Sequence, residues 1–75
     1  IIVDEVMTGF GRTGKLFGCH HLRTTPDIVC LSKGLTGGML PLGLTLATEK
    51  VFEAFSSPDI SRALLHGHSF TGNVL

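Results

Sequence analysis

Apolar positions along this chain come in short bursts separated by glycine-rich polar stretches. The opening Ile1-Ile2-Val3 is β-branched and uninterrupted, the pattern of a strand buried on both faces, and Asp4 falls at its C-terminal edge. Residues 8–15 hold Gly9, Gly11 and Gly14 and predict a loop, with a short helical turn over 16–22 and a connection over 23–26. Ile28-Val29-Cys30-Leu31 predicts a second strand over 27–32, and a second glycine-rich loop covers 34–41. Residues 42–47 alternate weakly and predict a third strand. Thr48 has the residue type of a helix N-cap, and Val51, Phe52 and Phe55 share one face of a helix over 49–55. Residues 56–59, with Pro58, end it, and Leu64-Leu65 predicts a short extended stretch ahead of His66. This order of elements predicts an α/β fold whose mainly parallel or mixed sheet is covered on its faces.

Composition narrows the setting. Charged residues make up 16% of the 75, against about a quarter in ordinary soluble domains. So small a chain buries little core without metals or disulfides. It opens inside an apolar run and stops where a new element begins, so we expect an internal segment of a longer α/β protein. Six basic and six acidic side chains cancel, which argues against a nucleic-acid footprint or an anionic membrane surface. No apolar run approaches the roughly eighteen residues of a membrane helix, and no signal-peptide pattern is present. Cys19 and Cys30 form no C-x-x-C pair and fit the reduced, packed thiols of a cytoplasmic protein.

The chemistry centres on Lys33. It closes one apolar run and opens the glycine-rich Gly34-Leu35-Thr36-Gly37-Gly38, while Asp4-Glu5 closes the other apolar run. Ligands of open α/β sheets sit beyond the carboxyl ends of the strands, where both Asp4 and Lys33 fall. A desolvated lysine amine attacks carbonyls and forms Schiff bases, and pyridoxal phosphate needs a lysine for its aldehyde and an acid opposite its ring nitrogen. Alone, a lysine at a strand end more often keeps its charge in water.

Other motifs carry less. Gly9-Phe10-Gly11-Arg12-Thr13-Gly14 matches G-x-G-x-x-G, but no long helix follows it, and Asp27 precedes the next strand instead of ending it. With Lys15 the stretch matches most of a P-loop and fails at Leu16, where a magnesium-binding hydroxyl belongs. His20-His21 and His66-x-His68 lack a further ligand for zinc and read as packing or hydrogen-bonding residues. Ser32 beside Lys33 is a weak Ser-Lys dyad, because adjacent strand residues face opposite sides.

Residues 4–15, Asp4-Glu5-Val6-Met7-Thr8-Gly9-Phe10-Gly11-Arg12-Thr13-Gly14-Lys15, resemble the signature of the class III aminotransferases, pyridoxal-phosphate enzymes of fold type I. Pro26-Asp27-Ile28, Ser32-Lys33-Gly34-Leu35-Thr36-Gly37-Gly38 and His66-Gly67-His68-Ser69-Phe70-Thr71-Gly72-Asn73 come after it in the family's order, so the resemblance spans nearly the whole chain. It implies that residues 1–75 are part of the large cofactor-binding domain of a fold type I transferase, with pyridoxal 5'-phosphate as cofactor. Lys33 would bond to the cofactor and carry a proton between it and the substrate, and Asp4 would pair with the ring nitrogen. Val6 would pack against the ring. Ser69 would bind the phosphate of the neighbouring subunit of a homodimer, with His68 beside the cofactor and Gly67 beside the substrate. Arg12 would border the entrance, as a substrate contact or as a structural ion-pair partner. A serine at 69 also suits a helix N-cap. Val74 departs from the proline usual after the asparagine.

Within the class, residues 31–38, 40–42 and 65–73 look most like the members serving biotin synthesis. That likeness implies transfer of an amino group from S-adenosylmethionine to 8-amino-7-oxononanoate, giving 7,8-diaminononanoate. The alternatives are another class III enzyme acting on ω-amino acids or diamines, a dinucleotide-dependent oxidoreductase using the first glycine loop, and a non-enzymatic module. The segment by itself is expected to lack transaminase activity.

Overall fold

In the computed structural model, which describes residues 1–56, 58, 59 and 61, the three expected strands form one mixed sheet in the order β1 (Ile2–Asp4), β2 (Ile28–Leu31) and β3 (Leu44–Ala47). β1 and β2 run parallel, with Val3 opposite Val29 and Asp4 opposite Cys30. β3 is antiparallel to β2 and sets Leu44 against Leu31 and Leu46 against Val29. Side chains alternate along each strand, so Val3, Val29, Leu31, Leu44 and Leu46 share an apolar face, and Asp4, Cys30 and Thr45 share the other. The long connection from β1 to β2 holds the first glycine loop and a 3-10 turn at Gly18–His21. A second 3-10 turn, Lys33–Leu35, leaves β2.

Helix α1 (Glu49–Phe55) starts where the sequence predicts. The Thr48 hydroxyl accepts from the Val51 N–H at 3.4 Å, satisfying one of the donors that every helix start leaves over. The Thr48 N–H donates to the Asp27 carbonyl at 2.9 Å, which ties the helix start to the beginning of β2. One expectation is not met. Phe52 is 64% exposed and Phe55 46%, and Leu31 is the only buried apolar residue among those described. The described residues supply a single seven-residue helix, too little to cover both sheet faces. None of their helices is long and apolar enough to cross a membrane.

The other buried side chain is charged. Glu5 is 1% exposed, directly beyond β1. Its Oε1 accepts from the Thr8 hydroxyl and from the Gly18 N–H at 2.9 Å, and Oε2 accepts from the Cys19 N–H at 2.8 Å. The Glu5 backbone is equally engaged: its N–H donates to the Cys30 carbonyl at 2.9 Å, and its carbonyl accepts from the Gly9 N–H at 3.0 Å. One residue therefore joins β1, β2, the glycine loop and the first 3-10 turn. Glycine is required at two of these contacts, since a Cβ at Gly18 would stand 2.8 Å from Glu5 Oε1 and one at Gly9 2.9 Å from the Glu5 carbonyl oxygen.

Burial by itself would raise the Glu5 carboxyl. The Thr8 hydroxyl, the Cys19 N–H and thiol and the Gly18 N–H outweigh it and bring the carboxyl from 4.5 down to about 2, because hydrogen bonds to the ionised form favour it. The bond to Glu5 in turn raises the Cys19 thiol. A carboxyl depressed on folding contributes stability that is complete above its unfolded value and is lost as pH falls through its folded value. We predict that the urea midpoint of the full-length protein falls between pH 4.5 and about 2 partly through this group. Glu5→Gln, which keeps an acceptor and loses the charge, should lower stability near pH 7 by roughly 2 kcal/mol and flatten that acid limb. An unchanged limb would separate Glu5 from acid unfolding.

Candidate active site

Asp4 and Lys33 come to the same edge of the sheet because β1 and β2 are parallel neighbours. Asp4 is the last residue of β1 and pairs with Cys30, so the two strands end within one residue of each other. Asp4 Oδ1 accepts from the Val6 N–H at 2.9 Å, an Asx-type turn that ends the strand. Among the described residues no second bond engages the carboxylate, so Oδ2 keeps its lone pairs for another donor. Val6 thus opens a turn instead of prolonging the strand, and it is half-buried.

Lys33 follows β2 at a sharp turn. Ser32 directs its hydroxyl away, donating to the Leu42 carbonyl at 2.6 Å, which removes it from any dyad with the lysine. Lys33 then takes φ +41°, the left-handed region that a residue with a Cβ enters at a cost of about 1–3 kcal/mol. The turn is closed by Leu35 N–H to the Ser32 carbonyl at 2.9 Å and Thr36 N–H to the Lys33 carbonyl at 3.3 Å. The Thr36 hydroxyl donates to the Leu40 carbonyl at 3.0 Å, folding the second glycine loop back on itself. Gly37 and Gly38, at φ +64° and +87°, supply the left-handed conformations this loop requires.

A cleft of about 460 Å³ opens beside this turn, lined by Met7, Gly9, Phe10, Arg12, Lys33 and Gly34 among others. It brings Arg12 and Lys33 to one space, and no ion pair engages either cation among the described residues. Asp4 and Val6 lie at the same sheet edge without lining the cleft. Gly67, His68 and Ser69 lie outside the described residues. A larger cavity of about 680 Å³ is bounded by Val29, Leu31 and Leu46 on the apolar sheet face and gathers no lysine or carboxylate.

The first glycine loop is not arranged for a dinucleotide. Gly9 N–H donates to Glu5, Gly11 N–H to Leu16 at 3.0 Å and Gly14 N–H to Gly11 at 3.1 Å, so these amides are already used where a pyrophosphate would need them free. The loop leads into the short turn at Gly18–His21, not into a long helix. The described histidines have packing and hydrogen-bonding roles. His20 meets Phe17 edge to face at 5.5 Å, and His21 Nε2 lies 3.1 Å from the Thr13 carbonyl. No group of three potential ligands that could hold a metal ion occurs among the described residues.

Two features escape the sequence reading. Glu5 carries the buried charge beside Asp4, and the signal was present, since an acid directly follows a buried strand and two glycines stand where its contacts form. Phe10 takes φ +60° and sits against Gly34, a contact between distant parts of the chain that no local pattern announces.

The family model Aminotransferase class-III matches residues 1–75. The chain is 55% identical over 75 residues to the adenosylmethionine-8-amino-7-oxononanoate aminotransferase of Synechococcus elongatus, covering 100% of this chain and 18% of that protein. It is 53% identical over 76 residues to the enzyme of that name from Aquifex aeolicus, covering 100% and 17%. A Bacillus anthracis aminotransferase superposes with a TM-score of 0.81 at 40% identity, over 92% of this chain and 15% of that one. An (S)-enantioselective omega-transaminase from Thermomicrobium roseum does so with a TM-score of 0.77 at 45% identity, over 92% and 15%. The chain thus spans less than a fifth of the curated relatives it matches. With Lys33 and Asp4 at one sheet edge and the family pattern running from end to end, the chain belongs to the class III aminotransferases.

Proposed function

We propose that the full-length protein is a pyridoxal-phosphate-dependent aminotransferase that converts 8-amino-7-oxononanoate to 7,8-diaminononanoate, a step of biotin synthesis, with S-adenosylmethionine as amino donor. The observation that carries the chemistry is the pairing of β1 and β2 side by side and parallel, with an acid ending one strand and a lysine turning off the other. The residues fit the cofactor. Asp4 retains an acceptor oxygen beyond its bond to Val6, as a protonated ring nitrogen requires, and Lys33 borders an open cleft. Bound there, the cofactor supplies an electron sink for charge developing beside the transferred nitrogen.

Each side chain then has a defined task. Lys33 would hold the cofactor through its amine and would carry a proton to and from the reacting carbon. Asp4 keeps the ring nitrogen protonated, and Val6 packs against the ring. Arg12 faces the same cleft as Lys33 and suits a carboxylate, which both donor and acceptor carry. Gly67 and His68 lie beside substrate and cofactor in this proposal. Ser69 binds the phosphate across a homodimer interface, and the enzyme is cytoplasmic.

A second reading also has support. The likeness to an omega-transaminase of known structure favours an amino donor other than S-adenosylmethionine within the same class. Both readings share Lys33 and Asp4 and differ in the donor.

We predict that the full-length enzyme, loaded with pyridoxal phosphate, is converted by S-adenosylmethionine to the pyridoxamine form, monitored by absorbance, and that 8-amino-7-oxononanoate reverses the change. Conversion by ω-amino acids or diamines alone would select the second reading. Lys33→Ala should abolish borohydride trapping of the cofactor on the protein, and persistent trapping would remove Lys33 from its role. Arg12→Ala should raise KM for the keto acid by about 10–100-fold, the loss of one charged hydrogen bond, with cofactor affinity unchanged. An unaltered KM would return Arg12 to a structural part.

A further inference from the structure

We infer that Phe10 is a positioning residue for Lys33, a wedge whose ring occupies the space where a side chain at position 34 would stand and thereby fixes the left-handed turn at the lysine. The inference rests on the aminotransferase reading for the task of Lys33, and on geometry alone for the wedge. A Cβ built on Gly34 would lie 2.9 Å from Phe10 Cδ2, 3.2 Å from Phe10 Cβ and 3.3 Å from Phe10 Cγ. Gly34 does not itself have a positive φ; the left-handed residue is its neighbour Lys33. Backbone conformation therefore does not call for glycine at 34, whereas the proximity of Phe10 does.

The ring is 39% exposed, and what holds it at position 34 lies near its root. The atoms closest to position 34 include its Cβ and Cγ, near the root of the side chain. Phe17 meets the ring edge to face, with centroids 5.5 Å apart at 67°. Phe17 in turn adjoins Gly18, whose N–H binds Glu5. Phe10 also holds a left-handed backbone at φ +60°, so its ring direction is set by the loop and not by rotamer choice alone. Two left-handed residues with side chains, Phe10 and Lys33, thus adjoin one glycine, the first in space and the second along the chain, and both line the cleft of the proposed chemistry.

The test is a double-mutant cycle in the full-length enzyme, read as the dissociation constant of pyridoxal phosphate from the apoenzyme and as the melting temperature of the apoenzyme. Gly34→Ala should weaken cofactor binding about tenfold or more with Phe10 present, and by less than about threefold in a Phe10→Ala background, the non-additivity expected of residues in contact. Phe10→Ala should also move the pH at which the visible band of the bound cofactor titrates, and Phe10→Tyr, which keeps the ring, should leave it in place. Equal losses from Gly34→Ala in both backgrounds overturn the wedge. A Phe10→Ala enzyme that melts lower yet keeps its cofactor affinity and titration overturns positioning, since packing alone would do that. Should Gly34→Ala fail to fold, recovery of a folded protein by adding Phe10→Ala supports the wedge, and no recovery overturns it. A wild-type enzyme that takes up no pyridoxal phosphate overturns the aminotransferase reading, and the melting cycle still decides the wedge.

Discussion

The ionised carboxylate of Glu5 is the constraint on which the remaining geometry depends. A charge taken out of water is stable only when its lone pairs are satisfied, and here three donors from two parts of the chain converge to do that: the Thr8 hydroxyl, the Gly18 N–H and the Cys19 N–H. The result is an unusual distribution of burial. Among the described residues the core consists of Leu31 and this acid, so the loop between β1 and β2 is held by directional bonds where an apolar layer would ordinarily do the work. Directional bonds specify geometry more sharply than apolar contact does. They also explain why a loop so rich in glycine has a single defined path.

Legibility from sequence divides along the same line. The three strands, both glycine loops and α1 were readable because each is announced locally, by β-branched runs, by glycine clusters and by Thr48 ahead of an apolar stripe. The sheet edge was readable through topology, since parallel neighbours bring their carboxyl ends together. That rule puts Asp4 at the end of β1 and Lys33 just beyond the end of β2. Glu5 and Phe10 escaped because their importance lies in contacts across the chain, to Gly18 and to Gly34. Neither contact leaves a periodic trace. The covered sheet faces expected from the α/β pattern are absent among the described residues, because pattern reports what a face is suited to bury and not whether the covering element is at hand.

The two glycine loops, alike in composition, differ in what their glycines do. In the first, Gly9 makes room for a bond to the Glu5 carbonyl, as Gly18 in the following turn does for the carboxylate, and Gly11 and Gly14 take left-handed angles at φ +93°. In the second, Gly37 and Gly38 turn the chain, while Gly34 is small because an aromatic ring lies against it. A literal motif match treats these glycines as equivalent. Their separate geometries show why the dinucleotide pattern over residues 9–14 was misleading: its amides are consumed in holding the loop shut on Glu5 and Leu16.

A path of contact therefore runs from the acid strand to the lysine turn and reaches it along the wall of the cleft. It starts at Glu5, beside Asp4, passes through Gly18 to the adjoining Phe17, crosses to Phe10 by an edge-to-face ring contact and ends on Gly34, beside Lys33. The backbone bond from Glu5 to Cys30 closes the circuit through β2. The ends of β1 and β2, which carry Asp4 and lead to Lys33, are thus joined twice, by sheet hydrogen bonds and by the contacts among Phe17, Phe10 and position 34. Placing such groups to within fractions of an ångström requires support of this kind behind each of them. A left-handed lysine, costly in isolation, is the conformation that such a closed circuit can hold in place.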